Sequence, residues 1–228
     1  MNQNWDSVEH IIIDGGSTDN TIDILKKYPH LIWISEPDEG QSDALNKGLK
    51  RATGEIIGWI NSDDYYEENI FEEVVAAFNE APVNWVIGNV TSIYPSLGIA
   101  KPLISPDIEY ENLLKNPNIT RQSPAFFKKD ALIATRGWNK KYHMAMDFDL
   151  WVRLSKTGPP KMVKRNWAFT THHDRQKTSP ENTLGQISDI VDILKKENLS
   201  WIKIQRVVSK KYGYLLKEKV KKYYHRPV

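Results

Sequence analysis

Three apolar runs, Val8–Ile13, Leu31–Ser35 and Glu55–Ile60, are separated by segments of helical period, and that alternation restricts the chain to one fold class. Each run is five or six residues long and rich in isoleucine, the length and composition of a strand. Between them Ile22, Ile24, Leu25 and Tyr28, then Ala44, Leu45, Gly48, Leu49 and Ala52, recur every three or four residues, as one face of a helix requires. Strands and helices alternating in this way predict an α/β protein: a mostly parallel sheet with helices on both faces. At 228 residues the chain is long enough to bury a core.

The pattern continues with a helix from Glu67 to Asn79, a strand from Trp85 to Val90, and a proline-rich stretch over 95–124 that reads as loop around a short helix at Tyr110–Lys115. A strand at Ala125–Lys128, a short helix at Asp130–Thr135, a helix opening at Met146 and a strand at Lys164–Thr171 follow. Residues 181–225 read as two helices. The division expected is a domain over 1–180 and a basic helical extension over 181–228.

Residues 195–228 hold eleven Lys or Arg against two Glu, so the rest of the chain carries −7 against an overall +2. An overall charge this small gives no reason to expect a nucleic-acid partner. In the extension Lys217, Lys219, Lys221 and Lys222 flank Tyr223 and Tyr224, a pattern open both to peripheral contact with an anionic membrane and to a solvated helix face. There is no cysteine, which excludes disulfides and thiolate metal sites. No apolar run approaches the length of a membrane span, and the polar start Met1-Asn2-Gln3-Asn4 does not read as a signal peptide. A cytoplasmic protein, with any membrane contact peripheral at the inner face, is the expectation.

The chemistry is concentrated where strands stop. The run Glu55–Ile60 ends on Asn61-Ser62-Asp63-Asp64, placing two carboxylates at the end of a sheet strand, where open α/β sheets bind ligands. Hard oxygen donors suit Mg²⁺ or Mn²⁺ carrying a phosphate; a helix cap is the plainer role for Ser62 or Asp63. Val8–Ile13 ends on Asp14-Gly15-Gly16-Ser17, whose glycines allow close backbone approach and whose Asp14 can accept hydrogen bonds from a base or ribose. Satisfaction of turn amides by Asp14 and Ser17 is the alternative. Lys47 can reach a phosphate or pair with Asp43 one helical turn away. Asp147 and Asp149 open a helix, where the dipole favours carboxylates in any protein. The strand at Lys164–Thr171 runs into His172-His173-Asp174-Arg175-Gln176-Lys177-Thr178, a cluster of imidazole and cationic groups.

The order of these blocks resembles the family 2 glycosyltransferases with the GT-A (Rossmann-like) fold. EHIIIDGGSTDNT from Glu9 is similar to the family's nucleotide-contacting strand and turn, and SEPDEGQSDALNKGLKRATGEIIGWINSDD from Ser35 matches the blocks that follow. Arg121–Phe127, MDFDLWVRL from Met146 and His173–Thr178 correspond to later blocks in the same order, so the resemblance covers residues 5–180 or so. It implies a sugar moved from a nucleotide-diphosphate donor, UDP-linked foremost, to a hydroxyl of a saccharide or lipid-linked acceptor, with inversion and with Mn²⁺ or Mg²⁺. Asp147 falls at the position of the catalytic base. Asp14, Gly16, Ser17, Asp43, Lys47, Asp63, Gln122 and Lys177 fall at positions that meet the nucleotide sugar, and Asp64 and His173 at positions that meet the metal.

The chain departs from the family in three places. Gly15 stands where a second Asp is frequent, and Met146 where an acidic residue commonly precedes the base. Family members also begin about thirty residues earlier, with a strand that would lie between those ending at Ile13 and Ile60 and a helix after it. The expectation is a gap that the flanking strands close, another copy fills, or an earlier start completes, with weak transfer and self-association in this chain. A catalytically impaired binding or assembly subunit is the alternative function.

Overall fold

The structure is a computed structural model that describes residues 3, 5–117, 121–173, 176–177 and 182–224, without the side chains of 211 and 214–224. The lysine face expected at a membrane, Lys217 to Lys222, belongs to those side chains, and Asp174, Arg175 and Thr178 also lie outside the description. Among the described residues no helix is long and apolar enough to cross a membrane.

In chain order the first half comprises β1 (His10–Asp14), α1 (Thr21–Leu25), β2 (Leu31–Ser35), α2 (Gln41–Arg51), β3 (Ile56–Gly58), β4 (Tyr65–Tyr66) and α3 (Phe71–Glu80). The second comprises β5 (Trp85–Tyr94), a 3-10 turn at Pro95–Leu97, β6 (Ile99–Leu103), α4 (Tyr110–Lys115), β7 (Ala125–Lys128), α5 (Lys129–Ala134), α6 (Met146–Ser155), β8 (Lys161–Thr171), α7 (Thr183–Lys196) and α8 (Trp201–Tyr224).

The α/β class and the helices on both faces stand as expected, but the sheet is mixed and divided. β1 and β2 form a parallel pair by themselves, while the larger sheet runs β3-β7-β5-β8-β4 with β6 on β5. There β5 and β8 are parallel, and β3/β7, β5/β7, β5/β6 and β4/β8 are antiparallel. The strand-helix alternation that imposes parallel pairing ends at β5; the chain then returns through hairpins and loops, which allow antiparallel neighbours. The stretch over 95–124 therefore carries β6 as well as the expected short helix.

Alternation along β5 and β7 builds two cores. Trp85, Ile87, Ala125 and Phe127 face a cluster centred on α6, with Leu150, Trp151 and Leu154, whereas Val86 and Phe126 face Ile70, Val74 and Phe78 on the other side. Trp85 and Phe127 each stack on Trp151 at 5.3 Å. Gly88 is where the chain needs no side chain at all, since a Cβ there would lie 2.5 Å from the Trp167 ring. The α6 cluster also takes in Ile190, Ile193 and Leu194 of α7 and Ile204, Val207 and Tyr212 of α8, so the helices of the extension share the core of the sheet.

β1 and β3 are different. Both read as core strands, yet Ile11, Ile12, Ile13, Ile56 and Ile57 are only half-buried. The two flanking strands have not closed on each other. Their amino ends are tied by Glu9, whose carboxylate accepts hydrogen bonds from the Thr53 amide at 2.7 Å, its hydroxyl at 2.6 Å and the Gly54 amide at 3.1 Å. Between the strands lies a cavity of about 2420 Å³ that reaches the ends of β3 and β8.

Candidate active site

Past β3 the chain turns through Asn61 to Asp64, and the two carboxylates part. Asp64 points inward: its Oδ2 accepts from the Ser123 hydroxyl at 2.8 Å and its Oδ1 from the Thr171 amide at 3.1 Å. Ser123 precedes β7 and Thr171 ends β8, so the sheet itself holds this side chain. Burial pushes the Asp64 carboxyl above its ordinary pKa, and those two hydrogen bonds oppose the shift. Asp63 turns to His173, with Oδ2 and Nε2 3.0 Å apart. The neighbouring His172 is engaged by β5, stacked on Tyr94 at 4.3 Å with a ring nitrogen 3.1 Å from the Ser92 hydroxyl.

A row of amides crosses the same cavity. Lys177 donates to Gln41 Oε1 at 3.1 Å, Gln41 to Asn61 Oδ1 at 2.7 Å, Asn61 to Gln122 Oε1 at 3.0 Å, and Gln122 to the Trp59 carbonyl at 3.4 Å. Desolvation lowers the Lys177 pKa from its ordinary value, against the pull of Asp38 and Asp147. Gln41, Asn61, Ser123 and Thr171 were missed as candidates because none of them titrates. The one available signal was position: Asn61 lies just before the Asp pair, and Gln41 opens a helix at a strand end.

The helix α6 decides between its two carboxylates. Asp149 is 5% exposed and bound by Arg153, through Nε at 2.8 Å and Nη2 at 2.6 Å. It is committed to structure. Asp147 is half-buried and lines the cavity with Asp63, Asp64, His173 and Lys177; its Oδ1 accepts from the Phe148 amide at 2.8 Å. The extension braces the loop before α6: Asp189 accepts from the Met144 amide at 2.8 Å and Asp192 from the Tyr142 hydroxyl at 2.6 Å. Met146 is buried with its sulfur 3.0 Å from the Ser42 hydroxyl, so a carboxylate at that position would lie buried beside one hydroxyl.

Five expected site residues do not line this cavity. Asp14 is 8% exposed and its carboxylate receives the Gly16 amide at 3.1 Å, the Ser17 amide at 2.9 Å, and the Ser17 and Ser35 hydroxyls at 2.5 and 2.6 Å. These bonds, the Ser17 hydroxyl first, hold its pKa down to about 2. In this arrangement Asp14, Gly16 and Ser17 close a turn. A Cβ on Gly15 would come 2.8 Å from Asp38 Oδ2, so a second Asp at that position would meet another carboxylate. α2 turns Ala44, Leu45, Gly48 and Leu49 to the cavity and Asp43 and Lys47 away from it. Lys47 pairs with Glu36 at 2.9 Å and Asp43 at 3.6 Å, and Asp43 also pairs with Lys140 at 3.2 Å.

No group of three or more potential metal ligands gathers among the described residues. Asp63 and Asp64 carry hard oxygen donors and His173 an imidazole, but with Asp64 turned to Ser123 and Thr171 and Asp63 to His173 the three do not converge on one point. Carboxylates are the donor type that Mg²⁺ accepts in phosphate-bearing sites, where one or two of them suffice and water and a diphosphate supply the rest.

Comparison with known proteins supplies the family and the fold. The sequence model described as glycosyl transferase family 2 matches residues 1–153. The chain belongs to glycosyl transferase family 2. Among its relatives in that family, the PGL/p-HBAD biosynthesis glycosyltransferase of Mycobacterium bovis is 30% identical over 165 residues, which are 69% of this chain and 61% of that protein. Chondroitin synthase of Pasteurella multocida is 26% identical over 72% of this chain and 18% of its own length, and glycosyltransferase GlyA of Streptococcus pneumoniae 24% over 69% and 23%. The chain thus spans less than two thirds of these relatives. S. aureus TarS 1-349 in complex with UDP-GlcNAc superposes with a TM-score of 0.66 at 15% identity, covering 92% of this chain and 64% of that one. The mannosyltransferase PcManGT of Pyrobaculum calidifontis, in complex with GDP-Man and Mn²⁺, gives 0.60 at 16%, covering 92% and 62%. At such identity these structures speak for the fold, and it is the GT-A fold expected of a family 2 chain.

Proposed function

We propose that this chain transfers a sugar from a nucleotide-diphosphate donor, UDP-linked foremost, to an acceptor hydroxyl, inverting the anomeric carbon, in the synthesis of a polysaccharide or glycoconjugate. The observation that carries the reading is the split between Asp149, locked to Arg153, and Asp147, turned to the cavity that holds Asp63, Asp64 and His173. A carboxylate so placed can take the proton of a hydroxyl brought within about 3 Å as that oxygen attacks from the face opposite the leaving group. Lys177 carries the positive charge that a diphosphate needs, and the amide row from Gln41 to Gln122 presents fixed polar groups to a sugar. Asp63, Asp64 and His173 would hold Mn²⁺ or Mg²⁺, which when bound neutralises charge on the departing diphosphate. Relatives named as synthases, and neighbours solved with UDP-GlcNAc or with GDP-Man and Mn²⁺, support the donor class.

The test is release of nucleoside diphosphate from UDP- and GDP-sugars with and without acceptor, in the wild type and in Asp147→Asn. Turnover should fall about 10²- to 10⁴-fold in the variant, the usual worth of a general base, while donor affinity holds. Unchanged turnover would remove Asp147 from the mechanism. The open division between β1 and β3 favours a second reading, a family member retained for binding or assembly, and that reading requires donor binding without any release.

A further inference from the structure

At the corner between α7 and α8 the chain exposes two adjacent large apolar side chains amid positive charge. Trp201 and Ile202, which open α8, are 57% and 72% exposed. Helical phase keeps Ile202 out. α8 buries Ile204 and Val207 in the α6 cluster, so Ile202, two positions before Ile204, points to the opposite side, on the face that Arg206 and Lys210 continue. A tight turn fixes the corner: Asn198 takes a φ of 58°, and the amides of Asn198 and Leu199 bond back to the Lys195 and Leu194 carbonyls at 2.9 and 3.1 Å.

Cations surround the apolar pair. Lys195 and Lys196 end α7, Lys195 with its ammonium 5.7 Å from the Trp201 ring centroid, and Lys203, Arg206 and Lys210 follow along α8, all of them exposed. Over residues 195–210 the chain carries five Lys or Arg against Glu197 alone. That carboxylate is engaged by Lys156 at 2.7 Å and by the Tyr110 hydroxyl, and the Asp192 carboxylate on α7 by Lys141 at 2.7 Å and the Tyr142 hydroxyl at 2.6 Å. The positive charge of the corner is thus left to face outward.

A solvated face accounts for the lysines but leaves a tryptophan and an isoleucine side by side in water. A nucleic-acid backbone would pair with the cations yet offer Ile202 no apolar surroundings. A second copy docked corner to corner would bring the same positive charge against it. An anionic bilayer meets both requirements, since its interface takes up tryptophan and aliphatic side chains while its headgroups attract Lys and Arg. We propose that the α7–α8 corner is a peripheral membrane contact, seating Trp201 and Ile202 in the interface of an anionic lipid surface while Lys195, Lys203, Arg206 and Lys210 meet its headgroups. The contact is carried by the first turns of α8 and does not require Lys217 to Lys222.

The experiment sediments the full 228-residue chain with vesicles of phosphatidylcholine alone and of phosphatidylcholine and phosphatidylglycerol in equal parts, at low salt. The mixed vesicles should bind the chain and the neutral ones should not, and binding should weaken as salt is raised. Lys203→Gln and Arg206→Gln should each lower the affinity about fivefold, and the double variant Trp201→Ser/Ile202→Ser about tenfold or more. In the wild type, bromine on the acyl chains should quench a part of the tryptophan emission that Trp201→Phe removes. The substituted side chains are exposed, so the variants should keep the wild-type midpoint of thermal unfolding. The proposal is overturned if the chain ignores anionic vesicles, binds neutral ones equally, or is not quenched by brominated lipid. It is also overturned if binding survives Trp201→Ser/Ile202→Ser, which would leave the contact to the lysines of residues 217–222. A dimer of the chain alone that the double variant dissociates would make a second copy the occupant and overturn it too. Vesicle binding involves no nucleotide and no transfer, so its failure leaves the proposed enzymatic function standing, and the reverse holds.

Discussion

A carboxylate that collects four hydrogen bonds is a pH-dependent support for the fold, and Asp14 is the clearest case in this chain. Its pKa of about 2 lies below the 3.8 of an unperturbed aspartate. A depressed folded-state value means that the stabilisation is complete above the unfolded-state pKa and disappears as the pH falls from about 4 through about 2. Asp14→Ala should cost about 1–3 kcal/mol at neutral pH, leave the Ser17 and Ser35 hydroxyls seeking partners, and remove that part of the acid sensitivity. Urea unfolding of both proteins at pH 7 and pH 3 measures it; a gap between them that stays constant with pH would contradict the assignment. The sequence showed that Asp14 ends a strand in a glycine turn, but not which of two uses it serves, because base contact and turn closure ask for the same residue. Asp63 and Asp64 were legible as candidates for a simpler reason, since adjacent carboxylates at a strand end are costly unless used, whereas Asp147 was singled out by the family resemblance, because a helix start favours a carboxylate in any protein. The neutral partners Gln41, Asn61 and Ser123 carry no such cost, and only position pointed to Asn61 and Gln41.

Several elements were read nearly to the residue: Leu31–Ser35, Tyr110–Lys115 and Ala125–Lys128 fall where expected. What escaped was set by tertiary contact. β4 is two residues, Tyr65 and Tyr66, held by pairing with Phe169 and Ala168 of β8 and by stacking of Tyr65 on Phe169 at 4.8 Å. β6 contains a proline and is mostly exposed, so it has neither the alternation nor the burial that marks a strand. β5 runs four residues beyond its expected end because β6 and β8 pair along Thr91–Tyr94 and Thr91–Ile93. Its centre depends on Gly88, which the sequence offers only as a glycine inside an apolar run. Gly88→Ala would drive a methyl group into the Trp167 ring, which bonds Glu73 through Nε1 at 3.1 Å. Overpacking of that kind costs about 1–3 kcal/mol, so the midpoint of thermal unfolding should fall with changed tryptophan fluorescence, whereas Gly98→Ala, with open space at its Cβ but a φ of +63°, should lower the midpoint through backbone strain and leave the fluorescence unchanged.

At the scale of the whole molecule, charge sets the terms on which a nucleotide can enter. The part of the chain before residue 195 carries −7, because the basic excess lies beyond it, and Asp63, Asp64 and Asp147 of the site line one end of the cavity. A nucleoside diphosphate approaching this end meets like charge, with Lys177 and Arg121 as the cationic Lys and Arg lining it. A divalent cation between the carboxylates and the diphosphate reverses the sign of that interaction. Titration of UDP into the full chain by calorimetry should therefore show affinity at least about tenfold higher with Mn²⁺ than without, a difference of about 1.4 kcal/mol. Asp63→Ala and Asp64→Ala should each remove the Mn²⁺-dependent part. Lys177→Ala should weaken binding in both conditions, because the lysine contributes its charge whether or not the cation is present. Asp43→Ala, on the outer face of α2, should change neither. Equal affinity with and without Mn²⁺ in the wild type would show that the two carboxylates hold the turn after β3 and no metal.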